Sequence, residues 1–264
     1  MDTKNVIAAI SLSAAVIILY SLFFAPSPNE LKKIDEQKSS MSSEAPELEE
    51  SEKIVELSRD KALKESNRVE FENQNIKGSI SLMGGTIDDL IFKNYTETLD
   101  GKNKITLLNP KKYSEGYFVE TGWVSSSKNI ELPNSNTNWK VEGNNKLTPG
   151  NPVTLVWNNN QGISFKKKIK IDEKFLFSID QIITNQSEKS YDFYAYGQII
   201  RNKSPEVTNF YILHEGLIGV LNDQLVEKDY DDIEEKEFSQ KADTGWLGIT
   251  DKYWITTLIP EKNK

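Results

Sequence analysis

VTLVWNNNQGISFKKKIKIDEKFLFSIDQIIT, residues 153–184, decides the fold because apolar and polar side chains alternate along it. In the middle run, 163–171, the apolar face carries Ile163, Phe165, Ile169 and Ile171. The opposite face carries Lys166, Lys168 and Lys170. A period of two with one apolar face predicts a half-solvated antiparallel strand. The turn-forming residues NNNQG at 158–162 and DEK at 172–174 predict hairpins to both neighbouring strands.

Similar short runs rich in Val, Ile, Phe, Tyr and Trp extend from residue 68 to residue 264, separated by Asn, Gly, Pro and Ser. This pattern is typical of an all-β sandwich. Predicted strands cover 69–72, 76–82, 87–92, 105–107, 116–121, 153–157, 163–171, 175–184, 191–201, 210–214, 217–221, 224–228, 246–250 and 253–259. A segment of this length can bury a core of its own, so we expect one large domain over 68–264.

The end of the chain is an apolar run, YWITTLIP, followed only by EKNK. This predicts that the sandwich is truncated at its C-terminal end. A last strand docking into a complete sheet would have the same sequence pattern, so that alternative stays open.

The N-terminal part has a different composition. Residues 6–25, VIAAISLSAAVIILYSLFFA, contain no charge and would span about 30 Å as a helix, the thickness of a bilayer core. The run is longer than the apolar part of a cleaved signal and lacks a small-x-small site, so it predicts an uncleaved membrane anchor. Lysines flank it on both sides, but a short tail, 1–5, and a long following domain favour a cytoplasmic N-terminus. Residues 26–67 are charged and poor in apolar residues, which predicts a flexible linker, with a short helix over 51–66 as the alternative.

Composition excludes several classes of protein. The chain of 264 residues has no Cys and one His, so it has no disulfide, thiolate zinc site or multi-histidine metal site. A net charge of −8 with scattered basic residues argues against nucleic-acid binding. No nucleotide-binding, zinc-protease or serine-hydrolase motif is present, and we expect no catalytic residue, no metal and no cofactor.

Four features still deserve consideration as sites. His214 beside Glu215 has the residue types of an acid–base pair, but a single His at a strand edge is usually structural. The acidic run 229–237 lacks the spacing of a calcium loop. Asp88 and Asp89 are neighbours in a predicted strand and should point to opposite faces. Gly84 and Gly85 are expected to form a turn or bulge rather than a phosphate cradle, because no helix pattern follows.

A fifth feature is a group of aromatic side chains in one predicted strand, Tyr191, Phe193, Tyr194 and Tyr196. They could line a ligand cleft. Core packing and cross-strand pairing explain them without a ligand.

Three stretches carry a resemblance to a known family. Residues 1–24, MDTKNVIAAISLSAAVIILYSLFF, resemble the first transmembrane segment of the bacterial membrane protein insertase family YidC in its Gram-negative form. Residues 71–100 resemble the start of its large periplasmic domain, with a Gly-Gly turn and a strand ending in Lys-x-Tyr, here Lys93 to Tyr95. Residues 245–260, GWLGITDKYWITTLIP, resemble its Gly-Trp, Tyr-aromatic and Ile-Pro segment.

The resemblance implies a β-supersandwich periplasmic domain, similar to galactose mutarotases, in a bacterial inner-membrane protein. It implies insertion and folding of inner-membrane proteins, alone or with the Sec translocon. The implied partners are membrane lipid, SecDF, SecYEG and nascent membrane proteins, without a cofactor or covalent chemistry. In this family the insertion groove lies within five C-terminal transmembrane helices, so no groove residue carries over to this chain.

Three other interpretations remain open. A membrane-tethered module that binds sugar or peptide would use the same fold, since fold does not determine function. A mutarotase-like enzyme would need a His acid and a Glu base across a cleft, and His214 is the only candidate acid. An anchored envelope scaffold unrelated to insertion would have no further transmembrane segments after residue 264.

Overall fold

The computed structural model describes residues 56–99, 101–205 and 214–261. The predicted anchor 6–25, most of the predicted linker 26–67 and the predicted strand 210–214, apart from its last residue, lie outside them. Within the described ranges no helix is long and apolar enough to cross a membrane.

The described part consists of fifteen strands, the loops that connect them and two short helices. The strands are β1 (Arg68–Glu72), β2 (Ile76–Ser81), β3 (Thr86–Thr96), β4 (Lys104–Leu108), β5 (Tyr117–Ser125), β6 (Lys140–Glu142), β7 (Lys146–Leu147), β8 (Val153–Asn158), β9 (Ile163–Ile171), β10 (Phe177–Asn185), β11 (Phe193–Arg201), β12 (Gly216–Leu221), β13 (Gln224–Asp229), β14 (Gly245–Thr250) and β15 (Ile255–Leu258). The helices are α1 (Arg59–Leu63) and α2 (Tyr230–Glu235). The all-β prediction is confirmed.

Three sheets contain these strands. The first sheet has the order β11-β5-β3-β2-β1-β7, with β4 also paired to β3. The second has the order β10-β9-β8-β6, and the third has the order β13-β12-β14-β15. All pairs are antiparallel except β1 with β7. Both predicted hairpins around β9 are confirmed by the cross-strand pairs Val153 with Ile169 and Phe177 with Ile171.

One core lies between the first and second sheets. The inward residues of β9 are buried, as the alternation predicts, and they meet buried side chains of β1 and β2. Phe71 of the first sheet meets Phe177 of the second edge to face, with ring centroids 5.1 Å apart. Burial of these large apolar side chains is the main stabilising contribution to the sandwich.

The third sheet is joined to the first by the ion pair of Arg201 and Asp251, next to the aromatic ring of Tyr117. Arg201 Nη1 donates to both carboxylate oxygens of Asp251, at 2.7 and 2.9 Å, and to the hydroxyl of Tyr230 at 3.1 Å. The guanidinium lies 4.8 Å from the ring centroid of Tyr117. Because each polar group has a partner, this junction carries charge at a modest cost.

Helix α1 lies within the range predicted as linker but is attached to the sandwich. The Leu57 backbone N–H donates to the Lys112 carbonyl at 3.0 Å, and Ala62 is buried. A five-residue helix is not stable in isolation, so these contacts are what hold it in place.

Candidate functional site

His214, the only candidate acid, has both ring nitrogens engaged. Nε2 donates to the Leu217 carbonyl at 2.8 Å, and Nδ1 lies 3.0 Å from Asp229 Oδ1. A general acid or base needs a nitrogen that can reach the substrate. This arrangement instead ties the start of β12 to the end of β13, which is a structural role.

The acidic run 229–237 forms helix α2 and the residues around it. Tyr230 is buried and Ile233 packs against the core, so one side of this run faces the protein. In the ranges that the structure describes, no three Asp, Glu or His side chains come together in a way that could hold a metal ion. The run is therefore a short helix with one side packed on the protein and its acidic side chains exposed.

The prediction that the side chains of Asp88 and Asp89 point to opposite faces of the sheet is wrong. The pairing of β2 with β3 shifts between Ser79 and Ile80, because Asp88 is an extra residue that leaves Ile80 opposite Ile87. Such a bulge breaks the alternation of side chains along a strand. Both carboxylates therefore join one polar network.

An arginine binds each of the two carboxylates. Arg68 donates to Asp88, and Arg59 of α1 donates to Asp89. Ser79 connects the pairs, since its Oγ accepts from Arg68 Nε at 2.7 Å and donates to Asp89 Oδ2 at 2.6 Å. Burial raises the pKa of Asp88 more than the attraction of Arg68 lowers it. The network attaches α1 to the sheet and leaves neither carboxylate available for a substrate.

The turn between β2 and β3 leads to a residue that the sequence analysis did not single out. Gly84 and Gly85 have φ angles of +74° and +63°, a conformation that favours glycine. Their carbonyls face the ammonium of Lys167 from β9, with oxygen–nitrogen distances of 3.2 and 3.4 Å. Lys167 also donates to the Thr121 carbonyl at 2.6 Å and is 1% exposed.

Lys167 lies in a closely packed crevice between the first and second sheets, which leaves no space for a water molecule. Its ammonium is 4.9 Å from the ring centroid of Trp139, whose buried Nε1 has no hydrogen-bond partner. At the same crevice the hydroxyl of Tyr196 donates to Glu120 Oε1 at 3.2 Å. Burial lowers the pKa of Lys167 to about 8, and the charge of Glu120 partly opposes this effect.

As the structure stands, this crevice is filled by its own side chains and leaves no room for a ligand. The Lys167 amine is enclosed by backbone carbonyls, so a substrate cannot approach it without movement of both sheets. The free indole N–H and the Glu120 carboxylate provide one donor and one acceptor beside an aromatic ring. A signal for this site was present in the sequence, since Lys167 has the parity of the apolar face of 163–171.

The aromatic group of β11 divides among three environments. Tyr191 and Phe193 pack against the core, Tyr194 is 57% exposed, and Tyr196 reaches the crevice. Core packing therefore explains two of the four side chains, and only one lies at a candidate binding site.

Comparison with known proteins gives consistent matches. The YidC periplasmic domain family matches residues 68–264. The membrane protein insertase YidC of Pelagibacter ubique is 54% identical over 266 residues, covering 100% of this chain and 48% of that protein. The proteins of the same name from Brucella melitensis and Sinorhizobium medicae are 42% and 33% identical, covering 79% and 99% of this chain and 35% and 47% of their own lengths.

The chain therefore spans about half the length, or less, of these curated relatives. The family match extends over all the strands described above, from β1 to β15. On these grounds the chain belongs to the YidC periplasmic domain family.

Proposed function

We propose that this chain is the N-terminal portion of a membrane protein insertase of the bacterial inner membrane. Residues 1–5 lie in the cytoplasm, residues 6–25 anchor the chain, and the domain of 68–264 lies in the periplasm. The observation that carries the proposal is the 54% identity to the Pelagibacter ubique insertase over the whole of this chain. The role of this portion is to anchor, to tether and to contact partners.

A non-enzymatic role agrees with the physical problem of insertion. An apolar helix gains free energy when it enters lipid, whereas its polar flanks are costly to move across. That cost is lowered by a sheltered polar groove, not by a catalytic residue, and the proposal assigns the groove to the other half of the protein. The engaged nitrogens of His214 and the enclosed amine of Lys167 support this assignment.

The proposal also names partners. Membrane lipid surrounds the anchor, nascent membrane proteins are the clients, SecDF meets the periplasmic domain, and SecYEG is the translocon with which the whole protein works. No nucleic acid takes part, since the net charge is −8 and the basic residues are scattered along the sequence.

A hybrid gene tests the proposal. This chain replaces the matching N-terminal part of the Pelagibacter ubique protein in a Gram-negative host depleted of its own insertase, and the unmodified gene serves as reference. We expect the hybrid to insert a newly made membrane protein as well as the reference does, measured by protection from added protease. A hybrid that is produced and folded but does not insert the client would contradict the proposal.

The hybrid with His214→Ala tests the absence of enzymatic chemistry. We expect insertion to be unchanged, because the ring has a structural role between β12 and β13. The chain itself is also assayed for interconversion of sugar anomers, with and without His214→Ala. Loss of insertion in the folded variant, or anomer interconversion that depends on His214, would show that the residue is catalytic.

A second candidate function is a tethered module that binds sugar or peptide. The observation that favours it is the buried indole N–H of Trp139, which has no hydrogen-bond partner. The crevice around it is closed, so a ligand would have to move the two sheets apart to reach it. Titration of the chain with monosaccharides and short peptides, followed by tryptophan fluorescence, tests it. Saturable binding that Trp139→Phe abolishes would support this function, and the absence of any saturable change would exclude it for the ligands used.

A further inference from the structure

Four hairpin turns meet at one end of the domain. They connect β1 to β2, β3 to β4, β9 to β10, and β14 to β15. Asn73 Nδ2 in the first turn donates to the carbonyls of Asp172 and Lys174 in the third, both at 2.8 Å. We call the last three of these turns, with residues 95–99, 101–104, 172–176 and 251–254, the hairpin end.

A cluster of aromatic rings connects the turns of the hairpin end to one another and to the buried Phe92. Phe92 is buried and stacks on Trp254 with ring centroids 4.4 Å apart. Tyr95 lies 5.0 Å from Trp254, and Phe175 lies 6.0 Å from Phe92, both in edge-to-face geometry. These contacts join one hairpin from each of the three sheets, so the turns are held together on a rigid base.

The tips of these hairpins expose large apolar side chains. Among the described residues, five of the twelve exposed large hydrophobic side chains belong to the hairpin end. They are Leu99 at 104%, Tyr253 at 72%, Leu176 at 54%, Phe175 at 50% and Tyr95 at 47%. Scattered exposed apolar residues are normal, but a concentration on adjoining turns indicates a contact surface.

The charges around these tips are nearly balanced. Lys102, Lys104 and Lys174 are exposed, and Lys252 Nζ lies 5.2 Å from the ring centroid of Tyr253. Exposed carboxylates in the same turns are Glu97, Asp172 and Glu173. Asp172 Oδ1 already accepts two backbone N–H groups of its own turn. Tyr, Trp and Phe rings with lysines beside them are the composition that settles at the boundary between lipid and water.

The tether keeps the domain near lipid. This step rests on the proposed function, in which 6–25 is a membrane anchor. The structure attaches the chain to the sandwich from Leu57 onward, so about 30 residues separate the anchor from the domain. A flexible chain of that length has a root-mean-square span of roughly 30 Å, and a domain of this size has a radius of gyration of about 17 Å. On average the domain surface therefore lies within a few tens of Å of the bilayer surface, on the order of the tether span, which gives a weak lipid contact a high effective concentration.

We propose that the hairpin end is a lipid-contacting surface, whose tips enter the interfacial layer of the bilayer that holds the anchor. Leu99, Tyr253 and the Phe175–Leu176 pair bury their apolar parts among the head groups and upper acyl chains. The lysines remain at head-group level, where they meet anionic lipid. The contact orients the sandwich on the membrane with the β12–β13 turn directed away from it.

Single cysteines test the proposal cleanly, because the chain has no cysteine of its own. Leu99→Cys and Tyr253→Cys each place an environment-sensitive fluorophore at the hairpin end. The matched control is Leu225→Cys, which is 62% exposed and lies beside Val220, toward the end of the third sheet that is remote from the β14–β15 turn. The whole chain is reconstituted into vesicles of phosphatidylethanolamine and phosphatidylglycerol, with and without spin-labelled lipid as a quencher.

We expect the labels at positions 99 and 253 to shift to the blue and to be quenched by the spin-labelled lipid, while the label at 225 shows neither change. In a second experiment the fluorophore is attached at Leu176→Cys. The same chain then also receives the two substitutions Leu99→Asp and Tyr253→Asp. Quenching at 176 should be lost, because charged tips are costly to bury in the interface. Leu225→Asp is the control and should leave quenching at 176 unchanged.

Other outcomes would overturn the proposal. Equal signals at all three labelled positions would show that the hairpin end has no preference for lipid. A blue shift without quenching, lost on dilution of the protein in the vesicles, would indicate contact with a second copy. A chain that does not float with the vesicles would contradict the anchor of the proposed function, and the inference would fall with it. A chain that floats with unquenched labels would contradict this inference alone.

Discussion

Lys167 Nζ donates a hydrogen bond of 2.6 Å to the backbone carbonyl of Thr121, which joins the central hairpin of the second sheet to strand β5 of the first. The lysine is 1% exposed, and no carboxylate forms an ion pair with it in the described part of the chain. A buried cation is stable only when its desolvation is offset, here by carbonyl dipoles and the ring of Trp139. This contact therefore holds the two sheets together and makes the stability of the domain depend on pH.

The first prediction concerns the hydrogen bonds of Lys167 between the two sheets. We expect Lys167→Met to lower the free energy of unfolding by about 1 to 3 kcal/mol, because the carbonyls of Gly84, Gly85 and Thr121 lose a buried donor. Lys168→Met, one residue along on the outer face, is the control and should change it by less than about 0.5 kcal/mol. Urea unfolding of the three proteins measures the difference. A variant as stable as the parent would show that the carbonyls do not need the lysine.

The second prediction is a pH dependence of the same contact. The folded pKa of Lys167 is about 8, below the unfolded value of 10.5, so between these values the unfolded chain holds a proton that the folded chain has released. Stability relative to Lys167→Met should then rise with pH from 8 to 10, by about 2 to 3 kcal/mol at most. Denaturation of both proteins across this interval measures the change, and a constant difference would mean that the amine is hydrated.

The third prediction concerns Tyr117, which should make stability fall, rather than rise, as pH increases. Burial raises the pKa of Tyr117 to about 12 from 10.0. Between these values the unfolded chain has lost a proton that the folded chain keeps, so this group contributes stability that disappears as pH rises from 10 to 12. We expect Tyr117→Phe to reduce the fall in stability over that interval. An identical fall in the variant and the parent would show that Tyr117 does not titrate differently in the two states.

The fourth prediction separates a buried ion pair from an exposed one. The variant Arg68→Met leaves the buried carboxylate of Asp88 without its partner and should lower the free energy of unfolding by about 3 kcal/mol. Adding Asp88→Asn to this variant removes the unpaired charge and should recover part of that loss. The control cycle uses Lys170 and Asp180, which pair at 2.9 Å but are 49% and 42% exposed. Its coupling energy should be below about 1 kcal/mol. Thermal and urea unfolding measure both cycles, and equal coupling would contradict the burial argument.

The outline of the fold could be predicted from local patterns. Alternation in 163–171 identified the buried face of β9 because side-chain direction along a strand depends only on parity. The hairpins on both sides followed from their turn residues. The same parity placed Lys167 inside, but a run of three lysines at 166–168 hides one inward residue between two outward ones.

Other features depend on contacts between distant strands. The two carboxylates of Asp88 and Asp89 come together because of a bulge opposite Ser79, and no local signal marks it. Likewise, the buried ammonium of Lys167 is bound by carbonyls of residues 46 and 83 positions away in the sequence.

The sequence by itself determined the all-β class of the domain, most of its strands, the buried face of β9, and the family to which the chain belongs. These properties depend on composition and short-range periodicity. Only the tertiary structure decided which carbonyls receive Lys167, how Asp88 and Asp89 are neutralised, and which hairpins share the Phe92–Trp254 base. Those depend on strand register and sheet packing, where the interaction energy comes from groups far apart in the chain.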